Sequence, residues 1–278
     1  MKCAWKELLG ILPPWMRLPV DKTGRESCQE LRLRLGVPPE IVMYRKSVWL
    51  DRPVSRDDLN QCINNASRYS PWNATTAVQG YLTAPGGHRI GICGESVMKD
   101  GRLTGFREVR SLCIRVARDF PGIAGDLSFA RQSVLIIGAP GWGKTTLLRD
   151  LIRGLSNLDQ HVAVVDERGE LFPSQPAFSP GKCTDVLCGC SKREGIEVLL
   201  RTMGPDWIAV DEITAAEDCE ALLKAAYCGV KLVATAHAGS LDDFRKRPVY
   251  RPLIESGLFH QVIVLRQDKS WTLERMGK

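Results

Sequence analysis

The chain has no run of eighteen or so consecutive apolar residues and no low-complexity tract. The first absence argues against a helical membrane span, and the second, with 25% of residues charged, argues against disorder. The form of a secretory leader is missing too, because Glu7 precedes the short apolar stretch and Pro13-Pro14 follows at once. A cytosolic chain is the expectation. Paired cysteine spacings are also lacking. The 10 cysteines are scattered, so free thiols are expected, and the cluster Cys183, Cys188, Cys190 has no second pair to complete a structural zinc site. No internal repeat of fixed period is found. What is present is ordinary globular material: 278 residues, 44% hydrophobic, are enough for one large or two modest domains. The net charge of +6 is dispersed, with concentrations at Arg102 to Arg118 and Arg245 to Arg251, and permits acidic partners without identifying one.

Texture changes at Phe120-Pro121-Gly122, which divides the chain into residues 1–120 and 121–278. Before that point, short strand-like segments alternate with turns: Glu40 to Tyr44, Ser47 to Leu50, Gly80 to Thr83, Arg89 to Glu95 and Ser111 to Val116. Ser55-Arg56-Asp57-Asp58 reads as a capping box opening a helix with Leu59, Cys62, Ile63 and Ala66 on one stripe. A small α+β domain is expected there. After the boundary, apolar runs at Ser133 to Ile137, Val162 to Val165, Trp207 to Val210, Lys231 to Thr235 and Gln261 to Leu265 alternate with helical patterns. The helices are expected at Thr145 to Leu155 and Ala215 to Cys228. This is the pattern of an α/β core with a mostly parallel sheet covered on both faces.

Gly138-Ala139-Pro140-Gly141-Trp142-Gly143-Lys144-Thr145 matches GxxxxGK[ST], after an apolar strand and before an amphipathic helix that opens with Lys144, Thr145 and Thr146. Glycines let the backbone curl so that amides and the helix N-terminus face phosphates. Lys144 would reach the β and γ oxygens of ATP, and Thr145 would offer a hydroxyl to Mg²⁺. Trp207 to Glu212 is an apolar strand leaving on two carboxylates, at the edge where parallel sheets gather ligands. Asp211 is the expected Mg²⁺ holder, and Glu212 the group that places the attacking water. Asp166-Glu167 ends another strand on the same side; Glu167 competes with Glu212, the alternative being that Asp166 pairs locally with Arg168. His237, at a further strand end, is placed to sense the γ-phosphate, although a lone histidine is also a common structural residue.

In their order, GAPGWGKT, VVDERGE and DWIAVDEITAAEDCEALLKAAYCGVKLVATAHAGSLDDF resemble the Walker A loop, acidic box, Walker B strand and His box of type II and type IV secretion and pilus ATPases. Segments outside the loop extend the likeness to the stage III sporulation AA family of endospore-forming bacteria. These are Glu30 to Gly36, Gln79 to Gly91 and Ser111 to Arg118. The resemblance implies a RecA-like P-loop core. It implies an ATP-hydrolysing protein, a homo-hexameric ring on the mother-cell face of a membrane channel to the forespore, working with an integral membrane component. It carries the acidic-box role onto Asp166 and Glu167 and the sensor role onto His237. It also implies an arginine acting on a neighbouring subunit's nucleotide, with Arg89, Arg115 and Arg118 as candidates. One departure stands out: the family's Gly-Arg after Asp-Glu-Ile is replaced by Thr214-Ala215, which weakens the expected coupling between nucleotide and ring.

Other readings of the motifs remain: a nucleotide switch that holds a complex together without hydrolysis, a nucleic-acid motor on the same core, and a small-molecule kinase. No DNA-reading module is recognised, so no specific nucleic-acid partner is expected, and no acceptor pocket for a kinase is evident in the motifs.

Overall fold

The structure is a computed structural model that describes residues 1–44, 46–67, 80–126, 131–173 and 178–276. Gln79, which heads one segment quoted above, lies outside them. Two compact units emerge: Met1–Asp119 form the first and, among the described residues, Phe120 onward form the second.

The first unit is built on a six-stranded sheet, every neighbouring pair antiparallel. Its strands are β1 (Cys28–Arg34), β2 (Val37–Met43), β3 (Lys46–Trp49), β4 (Tyr81–Ala84), β5 (His88–Lys99) and β6 (Arg102–Arg115), in the order β3-β2-β1-β6-β5-β4. Period-two alternation buries Leu31, Leu33, Ile41, Ile90, Leu112 and Ile114 on one face and leaves charged residues such as Arg32 on the other. Among the described residues, three helices contribute to this core: α1 (Trp5–Ile11), α2 (Pro14–Gly24) and α3 (Arg56–Ser67). The expected capping box is formed at α3. Ser55 donates from N and Oγ to Asp58 Oδ2, each at 2.8 Å, and accepts from the Asp58 amide at 3.1 Å. Leu59, Cys62 and Ala66 are buried on its inner stripe. The mostly parallel arrangement is therefore not a property of the whole chain, because this sheet has no parallel pair.

The second unit carries a seven-stranded sheet ordered β13-β12-β7-β11-β10-β8-β9. These are β7 (Val134–Gly138), β8 (Val162–Asp166), β9 (Thr184–Cys188), β10 (Trp207–Ile213), β11 (Lys231–His237), β12 (Gln261–Leu265) and β13 (Trp271–Arg275). All neighbours pair parallel except β12 with β13. Every residue of β7 and β8 is buried, as strands covered on both faces require. Leu135, Ile137, Ala163, Val165, Ile208 and Val210 share one core with α5 (Lys192–Thr202) and α6 (Ala216–Tyr227). The long helix α4 (Lys144–Asn157) buries Leu147, Leu148, Leu151, Ile152 and Leu155 and packs against β7, β8, β10 and β11. Because six strands run parallel, their C-terminal ends share one edge, and the phosphate-loop sequence, both Asp-Glu pairs and His237 are carried to it. Shorter helices α7 (Leu241–Lys246) and α8 (Arg251–Glu255) follow β11.

Candidate functional site

The loop leaves β7 at Gly138, whose strand partner on β11 is His237. A Cβ on Gly138 would stand 3.1 Å from Leu265 Cβ and 3.5 Å from Lys144 Cγ, so close approach fixes glycine there. Gly141 and Gly143 have φ of +75° and +104°, a region costly for residues with side chains. Ala139 and Trp142 close the turn between them, the Trp142 amide donating to the Ala139 carbonyl at 3.2 Å. Pro140 is exposed and Thr146 half-buried on the first turn of α4. That turn holds no acidic residue, and Gly143 at the N-cap supplies no side-chain cap. The first amides of a helix have no intrahelical partner, so this terminus suits an anion.

Lys144 begins α4 and is 5% exposed. Burial pushes its ammonium below the usual lysine value, and the charges of Asp211 and Glu212 partly restore it. Its Nζ donates to the Ala139 carbonyl at 3.2 Å and lies 3.0 Å from His237 Nδ1. An ammonium can only donate, so Nδ1 accepts and the imidazole carries its proton on Nε2. That nitrogen lies 3.1 Å from Glu212 Oε1, while Arg168 Nη1 lies 3.3 Å from Glu212 Oε2. The result is a continuous chain from Lys144 through His237 to Glu212, closed by Arg168.

Backbone geometry aims Glu212 into this chain. Between β10 and β11 the register steps from Val210↔Ala234 to Ile213↔Ala236, one extra residue on β10, and Glu212 takes a left-handed φ of +53°. Thr235, 0% exposed on β11, bridges the bulge: its Oγ1 donates to Asp211 Oδ1 and accepts from the Glu212 amide at 2.7 Å. The other Asp211 oxygen, Oδ2, accepts from Thr145 Oγ1 at 2.7 Å. Sequence reasoning did not find Thr235. The available signal was a hydroxyl inside the otherwise apolar run from Leu232 to Ala236.

The second acidic pair has different partners. Asp166, 3% exposed, accepts from the amides of Glu170, Leu171 and Phe172, each at 2.9 Å, and so folds its own following loop. Burial raises its pKa, against the pull of the Phe172 and Leu171 amides. Glu167 borders the same small cavity as Asp211 and Glu212, but its Oε2 is held at 2.7 Å by Lys192, which also lies 3.7 Å from Asp218. The local Asp166–Arg168 pair considered from sequence is replaced by Arg168–Glu212. Where the family's arginine was expected, the amides of Thr214 and Ala215 donate to Asp218 Oδ2 at 2.9 and 3.2 Å, which caps α6.

The three arginines proposed to act between subunits all lie in the first unit. Arg89 stacks over Tyr81, 4.2 Å from the ring centroid. Arg115 reaches Glu30 at 3.5 Å. Arg118 donates to the carbonyls of Cys28 and Arg25. All ten cysteines are free.

The residues present fit a phosphate and a magnesium ion. Lys144 is a buried cation that forms no ion pair among the described residues, at a helix N-terminus without acid. Thr145 Oγ1 and Asp211 Oδ2 already converge on each other. Among the described residues no three of His, Cys, Asp or Glu gather as a metal cage, and Mg²⁺ characteristically takes one or two carboxylates with substrate phosphates and water instead.

This fold is shared with the ATPase DotB and the pilus retraction motor PilT. The structure aligns with the Legionella pneumophila ATPase DotB (TM-score 0.59, 20% identity) over 95% of this chain and 80% of that one. It aligns with the pilus retraction motor PilT bound to ADP (TM-score 0.62, 14% identity) over 92% and 80%. The chain belongs to the stage III sporulation protein AA family. The family model described as "Sporulation stage III, protein AA" matches residues 8–273. The stage III sporulation protein AA of Bacillus subtilis (strain 168) is 34% identical over 95% of this chain and 91% of its own length. Among the described residues no helix is long and apolar enough to cross a membrane.

Proposed function

We propose that the chain binds ATP with Mg²⁺ at Gly138–Thr145 and hydrolyses it, to drive assembly of, or transport through, a channel between mother cell and forespore. The observation that carries this is the unbroken chain Lys144–His237–Glu212 beside the Thr145–Asp211 pair, all at one end of the parallel sheet. Thr145 and Asp211 would hold the ion, which neutralises charge on the β- and γ-phosphates. Lys144 binds the terminal phosphates. Glu212, its carboxylate steadied by His237 and Arg168, accepts a hydrogen bond from the attacking water and sets it in line with the γ-phosphorus. His237 links the two, so that loss of charge at Lys144's ligand is felt at Glu212. Glu167, bound to Lys192, contributes to the wall of the site rather than to the water.

Membership of the sporulation family and a fold shared with secretion ATPases support a homo-hexamer, peripheral on the mother-cell face of the channel and coupled to an integral membrane component. In that ring residues 121–278 are the ATPase domain. Arg115, with a side chain 63% exposed and, among the described residues, an ion-pair partner only at 3.5 Å, is chemically freer to act in trans than Arg118, which holds backbone carbonyls.

Phosphate release from MgATP, measured across protein concentration, tests the reading. Wild type should release phosphate more rapidly as it assembles. Lys144→Ala should lose ATP binding, and Glu212→Gln should bind ATP yet release no phosphate. Tight Lys144-dependent binding without release, even with assembled protein, would sink hydrolysis and leave the switch. Strong stimulation by DNA, lost with added salt, would favour a nucleic-acid motor.

A further inference from the structure

β12 lies beside β7 and runs parallel to it, so the turn that follows β12 reaches the same edge as the phosphate loop. That turn, residues 266–270, is tightly built. The Arg266 amide donates to the Ser270 carbonyl at 2.9 Å, and the Lys269 amide to the Arg266 carbonyl at 3.1 Å. Ser270 donates from N and Oγ to Asp268 Oδ1 at 3.0 and 2.6 Å. The turn closes with Lys269 at φ +71°, the left-handed position that short hairpin loops ordinarily give to glycine. Only three other non-glycine residues among those described, Asp100, Asp159 and Glu212, have positive φ. A lysine at this position needs a reason beyond turn formation.

Its side chain supplies one. Lys269 Nζ donates to the carbonyl of Gly141, in the middle of the phosphate loop, and its Cδ lies 3.9 Å from where a Cβ of Gly143 would stand. The loop it touches turns on two glycines that offer no side chain for packing, and the tether from a neighbouring hairpin restricts it. It also brings a second ammonium beside a loop whose helix carries no acidic residue in its first turn.

We propose that Lys269 is a positioning residue of the nucleotide site: it pins the phosphate loop through the Gly141 carbonyl and lends a second positive charge to the bound triphosphate. This rests on the reading of Gly138–Thr145 as the phosphate site. The glycine-like backbone is the cost of placing that amine, and Lys269→Gly therefore removes the amine while suiting the turn.

The test measures MgATP affinity of the full chain with a fluorescent ATP analogue in wild type, Lys269→Gly, Lys269→Arg and Lys144→Ala, with thermal unfolding alongside. Lys269→Gly should weaken binding roughly tenfold with unfolding temperature unchanged or raised, and should flatten the salt dependence. Lys269→Arg should recover most of the affinity, which a purely structural turn residue would not do. Wild-type affinity in Lys269→Gly, with binding lost in Lys144→Ala, would overturn the role of Lys269 alone. Wild-type affinity in Lys144→Ala would remove the phosphate-site reading and this inference with it.

Discussion

β8 and β10 lie side by side in the parallel sheet, and each leaves an apolar run on Asp-Glu, Asp166-Glu167 in one and Asp211-Glu212 in the other. The dipeptides are the same and their surroundings are not. After β8 the chain turns back on itself, and Asp166 spends both oxygens on the amides of the next few residues. β10 instead continues through a bulge, which rotates Glu212 out of the pleat toward His237. Position in the sheet separates them further. The order β7-β11-β10-β8 puts β10 two strands from the phosphate-loop strand, about 10 Å, and β8 three strands away, about 14 Å. Of the two, only β10 borders β11, whose Thr235 fastens both halves of its acid pair. An acidic strand end becomes a candidate catalytic group through its cross-strand neighbour, not through its own sequence.

The largest break in this comparison should come from exchanging carboxylate for amide at each site. Glu212→Gln removes the carboxylate proposed to accept from water and should lower phosphate release by at least about a hundredfold. Glu167→Gln alters a partner of Lys192 and should lower it by less than about tenfold under the same assay. Equal losses would mean that the two strand ends share the water-placing role. Next in size is Thr235→Val, nearly the same shape without the hydroxyl. It strips Asp211 of a donor and leaves the partly buried Glu212 amide without its acceptor, so unfolding stability should drop by about 1–3 kcal/mol. Turnover should fall with it, and Thr235→Ser should restore both. If Val leaves turnover intact, the bulge is held by something other than this hydroxyl.

Much of this site is legible in the sequence because its parts have local signatures. The phosphate loop needs glycines at fixed places, and the strands of the second unit announce themselves as short apolar runs, since burial on both faces leaves no polar alternation. The α3 cap was legible for the same local reason, Ser55 and Asp58 answering each other over three residues. What escaped is non-local or set by backbone. The bulge at Asp211-Glu212 exists only against β11. β1, α1 and α2 are short elements whose faces take meaning from the antiparallel sheet, which the segment pattern alone did not order. β5 and β6 run much further than their apolar cores, to Lys99 and from Arg102, because the turn at Asp100-Gly101, both with positive φ, extends the hairpin beyond the buried residues. That dipeptide was a readable hairpin signal. Lys269, by contrast, stands where glycine would be expected, so the rule that finds turns points away from it.

The smallest effect concerns Asp166 and asks whether its role is that of a loop anchor rather than a charge. Burial raises its pKa in the folded protein, and the amides of Phe172 and Leu171 oppose without reversing the shift. A carboxyl whose folded pKa exceeds the unfolded one binds its proton more tightly when folded. Its contribution is therefore fully present below the unfolded value and is lost as pH rises through the folded one. Asp166→Asn keeps the size and does not titrate, so the wild type's stability relative to it should decline as pH rises from about 3 to 7, most steeply just above the ordinary aspartate range. Thermal unfolding of the pair across that range reads the slope directly. An opposite slope would mean that the three amides stabilise the charged form more than burial penalises it. Asp166 would then be an anion held at a nest of N–H groups, and the contrast with Asp211 would rest on which donors surround each carboxylate rather than on burial.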